Sequence, residues 1–220
     1  MCGRFVLISN AGQIAEEFNL TDITSSSISS GNIHPGQKAA CIINKDKKNR
    51  LLILPWGFSP PWSKQATKSG LLINARAETL AEKPTFKEAF QKRRCLIAAD
   101  GFYEWSKEKK QYYFNLQNRR PFGLAGIFDE PKFPATGKEA SFVIITTSPN
   151  RLISPVHNRM PVIIPRDKQS LWLDNGRYEK TELQSLMTPY PAQEMEMRPG
   201  VFIAGLSVEP PPTGAGGSLK

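Results

Sequence analysis

Apolar residues in this chain fall mostly in short runs of β-branched and aromatic side chains, each closed by glycine, proline, asparagine or aspartate. Such runs predict strands, here over residues 3–8, 39–43, 51–54, 71–73, 95–98, 112–116, 122–127, 142–146 and 162–164. Helical spacing is rarer and is confined to residues 12–18 after Asn10, 85–92 after Pro84, 167–173 and 180–187. Strands outnumber helices without a regular βαβ alternation. The expectation is therefore an α+β fold, a curved, barrel-like and mostly antiparallel sheet with a few flanking helices. No repeat or linker interrupts the pattern, so one domain is expected over residues 1–208, followed by a flexible Pro/Gly-rich tail over 209–220.

Composition narrows the class. With 220 residues, 40% hydrophobic and 22% charged, the chain is long enough to bury a core and is ordinary for a soluble protein. Only Phe5, Val6, Leu7 and Ile8 separate Arg4 from Ser9, too few for a signal peptide, and no stretch approaches a membrane span. The three cysteines form no CxxC pair, which argues against a disulfide framework or a zinc site. Cys41 and Cys95 sit in apolar runs and read as buried and inert. A cytoplasmic protein is expected, without membrane association. The net charge is +9. Clusters at Lys45–Lys48, Lys92–Arg94, Lys107–Lys110 and Arg119–Arg120 suit phosphate backbones, and equally suit solvated turns.

Five segments carry more specific chemistry. Cys2 follows the initiator methionine, and loss of Met1 would leave a free α-amine beside a thiol. Such a 1,2-aminothiol condenses with an aldehyde to a Schiff base and then closes a thiazolidine ring. Ordinary pKa values of about 8 for the amine and about 8.5 for the thiol keep both usefully nucleophilic near neutrality. The stretch Pro55-Trp56-Gly57-Phe58-Ser59-Pro60-Pro61-Trp62 is a rigid aromatic loop. In it Trp56 reads as a core anchor and Trp62 as a platform for stacking on a base. In Asn74-Ala75-Arg76-Ala77-Glu78-Thr79, alternation puts Asn74 and Arg76 on one face. In Asp100-Gly101-Phe102-Tyr103-Glu104-Trp105, Glu104 points inward with Phe102, and an inward carboxylate must be paired or working. His157, in His157-Asn158-Arg159-Met160-Pro161, is one of two histidines and reads either as a hydrogen-bonded structural residue or as an acid.

These segments, taken in order over roughly residues 1–165, resemble the SRAP family, the SOS-response-associated peptidases. The resemblance implies a pseudo-barrel with a basic DNA channel. It also implies covalent capture of the ring-opened aldehyde of an abasic site in single-stranded DNA, as a thiazolidine DNA–protein crosslink through Cys2. By the same resemblance Asn74 orients the Cys2 amine or the opened sugar, and Glu104 shuttles protons. His157 acts as a second acid in opening the deoxyribose. Arg4 and Arg76 bind flanking phosphates and Trp62 wedges beside the missing base. No metal or organic cofactor is implied, and the expected state is a monomer that reaches the nucleoid on damaged DNA.

Two segments depart from the family pattern: His34 precedes Pro35 where a small residue is usual, and residues 195–201 do not follow the family's closing segment. Two other readings use the same residues. One is a thiol peptidase with Cys2 as acyl nucleophile, His157 as base and Asn74 as oxyanion donor. The other is a non-catalytic single-strand binder that uses the basic channel alone.

Overall fold

The computed structural model describes residues 2–21, 28, 30–58, 71–129 and 139–200. Trp62 and the 209–220 tail lie outside the described residues. Two sheets, mostly antiparallel and curled without closing, face each other across one core, with short helices at their margins.

The first sheet runs β13–β8–β7–β1–β2, made of β1 (Phe5–Leu7), β2 (Gly31–Ile33), β7 (Gly101–Trp105), β8 (Gln111–Leu116) and β13 (Met195–Pro199). The second runs β11–β10–β9–β6–β3–β4, from β3 (Lys38–Lys45), β4 (Lys48–Pro55), β6 (Arg94–Ala99), β9 (Phe122–Asp129), β10 (Ser141–Thr147) and β11 (Met160–Pro161). In addition β12 (Ile163–Ile164) pairs with β9, and β5 (Asn74–Arg76) lies parallel to β10.

Alternation explains how the first sheet serves two faces. Phe5, Phe102 and Phe114 point into the shared core, with Phe102 and Phe114 stacked at 5.3 Å. Val6, Tyr103 and Tyr113 form a separate small cluster with Trp105 packed against it. Gly101 is needed there, because a Cβ at that position would lie 2.2 Å from the Tyr113 hydroxyl oxygen.

The helices follow their local signals. In α1 (Ala11–Phe18), Asn10 and Gln13 form a capping box, with Gln13 N–H donating to Asn10 Oδ1 (3.0 Å) and Asn10 N–H to Gln13 Oε1 (2.9 Å). In α2 (Pro84–Lys92), proline occupies the first position, where its missing N–H costs nothing. Residues 166–173 divide into a 3-10 turn, Arg166–Lys168, and α3 (Gln169–Leu173); α4 spans Lys180–Ser185.

Several elements differ from expectation: β2, β7 and β11 fall outside the expected strand runs, and two further differences bear on the site. The apolar run 71–73 is not the strand; the ladder with β10 falls on Asn74–Arg76. Instead the Ile73 carbonyl accepts from Trp56 Nε1 (2.9 Å) and from Ile144 N–H (3.2 Å), docking the run under the tryptophan. Residues 195–199, which match no expected strand, pair along their whole length with β8.

The basic cluster at 92–94 is also not a surface stripe. Arg94 is fully buried, and Arg93 pairs with Glu88 at 3.3 Å.

Candidate active site

The fold brings four of the expected residues to one end of the space between the sheets. Cys2 precedes β1, Asn74 opens β5, Glu104 is the fourth residue of β7, and His157 lies in the turn before β11. Cys2 is fully buried among core residues. Asn74 Nδ2 donates to the Cys2 carbonyl (2.9 Å), fixing the Cys2–Gly3 peptide, while its Oδ1 is buried without a hydrogen-bond partner among the described residues.

Glu104 points inward as its alternation predicts and is 2% exposed. Burial pushes its carboxyl up to about 7, opposed by the positive charge of the amino terminus. At neutral pH this group both holds and releases a proton. The Cys2 thiol is pushed well above its ordinary range, first by burial and then by the charge of Glu104. Its Sγ makes only a long contact, 3.9 Å, with the Arg4 carbonyl.

His157 Nδ1 lies 3.9 Å from Glu104 Oε2. That same Nδ1 lies 3.1 Å from the Arg159 N–H and 3.2 Å from the Arg159 carbonyl, so it accepts from the first or donates to the second according to its tautomer. Burial lowers the His157 pKa, and the positive charges of the amino terminus and Arg159 add to the effect. The ring is therefore mainly neutral near pH 7. His157 is thus both hydrogen-bonded and part of the cluster.

The remaining expected residues are placed differently. Arg76 shares its strand face with Asn74 and is exposed, alternating with buried Ala75. The Arg4 guanidinium lies over Trp105 (5.2 Å to the ring centroid) and Tyr103 (6.0 Å). Trp56 is fully buried between Phe5 (5.2 Å) and Phe142 (6.2 Å), as its anchor reading requires. His34 lies near Arg4, whose charge adds to desolvation in lowering the His34 pKa. Cys41 and Cys95 are both buried.

Sequence reasoning missed Arg159. It forms a two-pronged ion pair with Glu78 (2.6 and 2.9 Å) and also donates to the Thr146 carbonyl. This ties the turn carrying His157 to β10 and to the Ala77–Thr79 turn after β5. The only signal was its position two residues beyond His157. Among the described residues no group of three or more His, Cys, Asp or Glu side chains is arranged to hold a metal.

Residues 1–200 match the family described as SOS response associated peptidase (SRAP). The chain belongs to that family. It is 40% identical over 202 residues to the "Abasic site processing protein YoqW" of Bacillus subtilis, covering 89% of this chain and 90% of the relative. It is 38% identical over 202 residues to "Abasic site processing protein YoaM" of the same organism, covering 89% of each. A crystal structure of a protein from Bacteroides thetaiotaomicron superposes with a TM-score of 0.78 at 26% identity, over 90% of this chain and 91% of that one. Through this membership the SRAP fold and its chain order carry over to the whole described region.

Proposed function

We propose that this SRAP protein processes abasic sites in single-stranded DNA by forming a thiazolidine crosslink through the Cys2 amine and thiol, once Met1 is removed. The observation that carries the reading is a buried carboxyl at Glu104, raised to about 7 and raising the Cys2 thiol in turn, beside a Cys2 carbonyl held by Asn74. The names of the relatives, abasic site processing proteins, support the same substrate.

The chemistry follows from the proton inventory. The thiol is held protonated, so the amine attacks the ring-opened aldehyde first. Asn74 holds the Cys2 carbonyl and leaves Oδ1 to accept from the amine. Protonated Glu104 gives its proton to the hydroxyl of the carbinolamine, which leaves as water, and a protonated imine remains. Ionised Glu104 then takes the Cys2 thiol proton as sulfur bonds to the imine carbon, and the nitrogen keeps its proton as the C=N bond becomes single. Aldehyde and aminothiol become thiazolidine and water. His157, whose Nδ1 lies 3.9 Å from Glu104 Oε2, is the acid for opening the deoxyribose at its ring oxygen. Holding the aldehyde against the aminothiol makes the step effectively intramolecular, with effective molarities that reach roughly 10⁵ M or more.

A thiol peptidase needs a resting thiolate, and a buried thiol beside an anionic carboxylate opposes one. The test is intact mass after incubation with an abasic single-stranded oligonucleotide. The expected product is one adduct per chain that lacks Met1, heat-stable, and absent with Cys2→Ala. An N-terminal extension should abolish it, because it blocks the amine and leaves the thiol. Crosslinking by Cys2→Ala at the wild-type rate would sink the proposal.

A further inference from the structure

β7 presents two functional faces at once. Phe102 and Glu104 point inward, while Tyr103 joins Val6 and Tyr113 on the other side of the sheet with Trp105 packed against them. On that outer side the Arg4 guanidinium lies 5.2 Å from the Trp105 ring centroid and 6.0 Å from that of Tyr103. The aromatic support is continuous. Tyr103 packs on Trp105 at 6.3 Å and on Tyr113 at 5.2 Å, and the Tyr113 hydroxyl donates to the Asp100 carbonyl (3.2 Å). The backbone is fixed too, since Tyr103 N–H donates to the Arg4 carbonyl (2.9 Å).

Arg4 forms no ion pair among the described residues, and its Nε is buried without a hydrogen-bond partner. A guanidinium lying over aromatic rings leaves its two terminal amino groups to donate to another group, and those donors match a phosphate in a two-pronged grip. Arg4 is separated from Cys2 only by Gly3. The Arg4 carbonyl also lies 3.9 Å from the Cys2 sulfur, so a phosphate held by Arg4 is tied to Cys2 through one short stretch of backbone.

We infer that Trp105 is a positioning residue: with Tyr103 it holds Arg4 as a preset phosphate ligand, and so aligns the strand that carries the aldehyde at Cys2. This inference rests on the proposed DNA reading. Trp105 acts through Arg4, and removing the ring frees a flexible arginine that must be ordered again on binding.

The experiment measures noncovalent binding of an intact single-stranded oligonucleotide to the full chain, over a range of KCl. The variants are Trp105→Leu, Trp105→Phe, Arg4→Gln and the double variant Trp105→Leu/Arg4→Gln. Each is also tested for thiazolidine formation with a small free aldehyde that carries no phosphate. Arg4→Gln should reduce the slope of log affinity against log salt by about 0.7, one single-strand phosphate contact. Trp105→Leu should weaken binding roughly 3–10-fold and reduce the slope in the same direction, and Trp105→Phe should restore most of both. Trp105→Leu and Trp105→Phe should keep the wild-type rate with the free aldehyde, and the double variant should bind no worse than Arg4→Gln alone.

Losses from the two single substitutions that add in the double variant would overturn the inference, because Trp105 would then act on DNA independently of Arg4. Unchanged affinity in Trp105→Leu would overturn it as well. So would loss of the free-aldehyde reaction in that variant, which would make Trp105 part of the Cys2 site itself. A wild-type protein that binds no single strand would instead remove the DNA reading beneath it.

Discussion

Glu104 is where sequence and chemistry meet most directly, because alternation along β7 places a carboxylate inside a mostly apolar core. Its folded pKa, about 7, lies above the ordinary 4.5, so the native state binds this proton more tightly than the unfolded chain does. Stability from this group is therefore fully present below the unfolded pKa and is lost as pH rises through the folded value, between about 4.5 and 7. Glu104→Gln keeps the shape and removes the penalty, so it should raise the melting temperature by a few degrees at pH 8 and change little at pH 4.5. The same variant should crosslink slowly and accumulate an imine that borohydride traps. A variant no more stable than wild type at pH 8 would show that the folded carboxyl is not raised. His157 separates from it by substrate: His157→Ala should be slow on a closed-ring abasic site and near normal on a free aldehyde. Equal losses on both substrates would mean that His157 only positions Cys2. The residue types at this site were legible from the sequence, because Asn74, Glu104 and His157 each broke an apolar pattern. The brace from Arg159 to Glu78 was not, since a charge pair formed 81 positions apart leaves no local pattern.

At the scale of elements, the junction of α2, α3 and β6 turns on one buried arginine. Arg94 Nε donates to the Trp172 carbonyl (2.8 Å), and Nη1 donates to those of Phe90 and Gln91 (2.9 Å each). Nη2 donates to the carbonyls of Arg177 (2.9 Å) and Asp174. These carbonyls lie at and just beyond the ends of α2 and α3, where no further turn of helix satisfies them. Burial lowers the guanidinium pKa to about 10, still charged at neutral pH. Arg94→Met should therefore cost about 3–5 kcal/mol, because it strands several buried acceptors at once. For a chain of this size that is a fall in melting temperature of roughly 10 °C, read by calorimetry. Below the transition its crosslinking rate should match wild type, since Arg94 lies outside the Cys2 cluster; a fall of only a degree or two would count against the junction. In the sequence, Lys92-Arg93-Arg94 reads as a solvent-facing basic run, and only the carbonyls of distant helix ends reveal otherwise. Strand β13 was hidden for a related reason. Met195-Glu196-Met197-Arg198-Pro199 has no β-branched or aromatic residue, and its register comes wholly from β8.

Over the whole molecule, a net charge of +9 invites a diffuse electrostatic account of DNA binding, and the arrangement of the charges favours a local one. Part of the surplus sits at the tip of the β3–β4 hairpin, where Asp46 and Lys47 take the left-handed conformation of a tight turn. Each of those strands is eight residues long, about 27 Å at ~3.4 Å per residue, and their other ends lie beside Trp56, which packs on Phe5 of β1. The tip is thus separated from the Cys2 end of the sheet by more than the roughly 8 Å over which salt screens exposed charges at physiological strength. Arg4 and Arg76 are the cations tied in sequence and strand face to Cys2 and Asn74. If these two make the phosphate contacts, log affinity should fall against log salt with a slope near −1.4. Crosslinking at limiting protein should then slow by roughly 7-fold between 50 and 200 mM salt. Lys47→Gln/Lys48→Gln should leave that slope unchanged, while Arg76→Ala should reduce it by about 0.7 and weaken binding to intact single strands as well. A slope that falls equally for the hairpin lysines would mean that DNA responds to the total charge, and that the strand path extends well beyond the mouth of the Cys2 site.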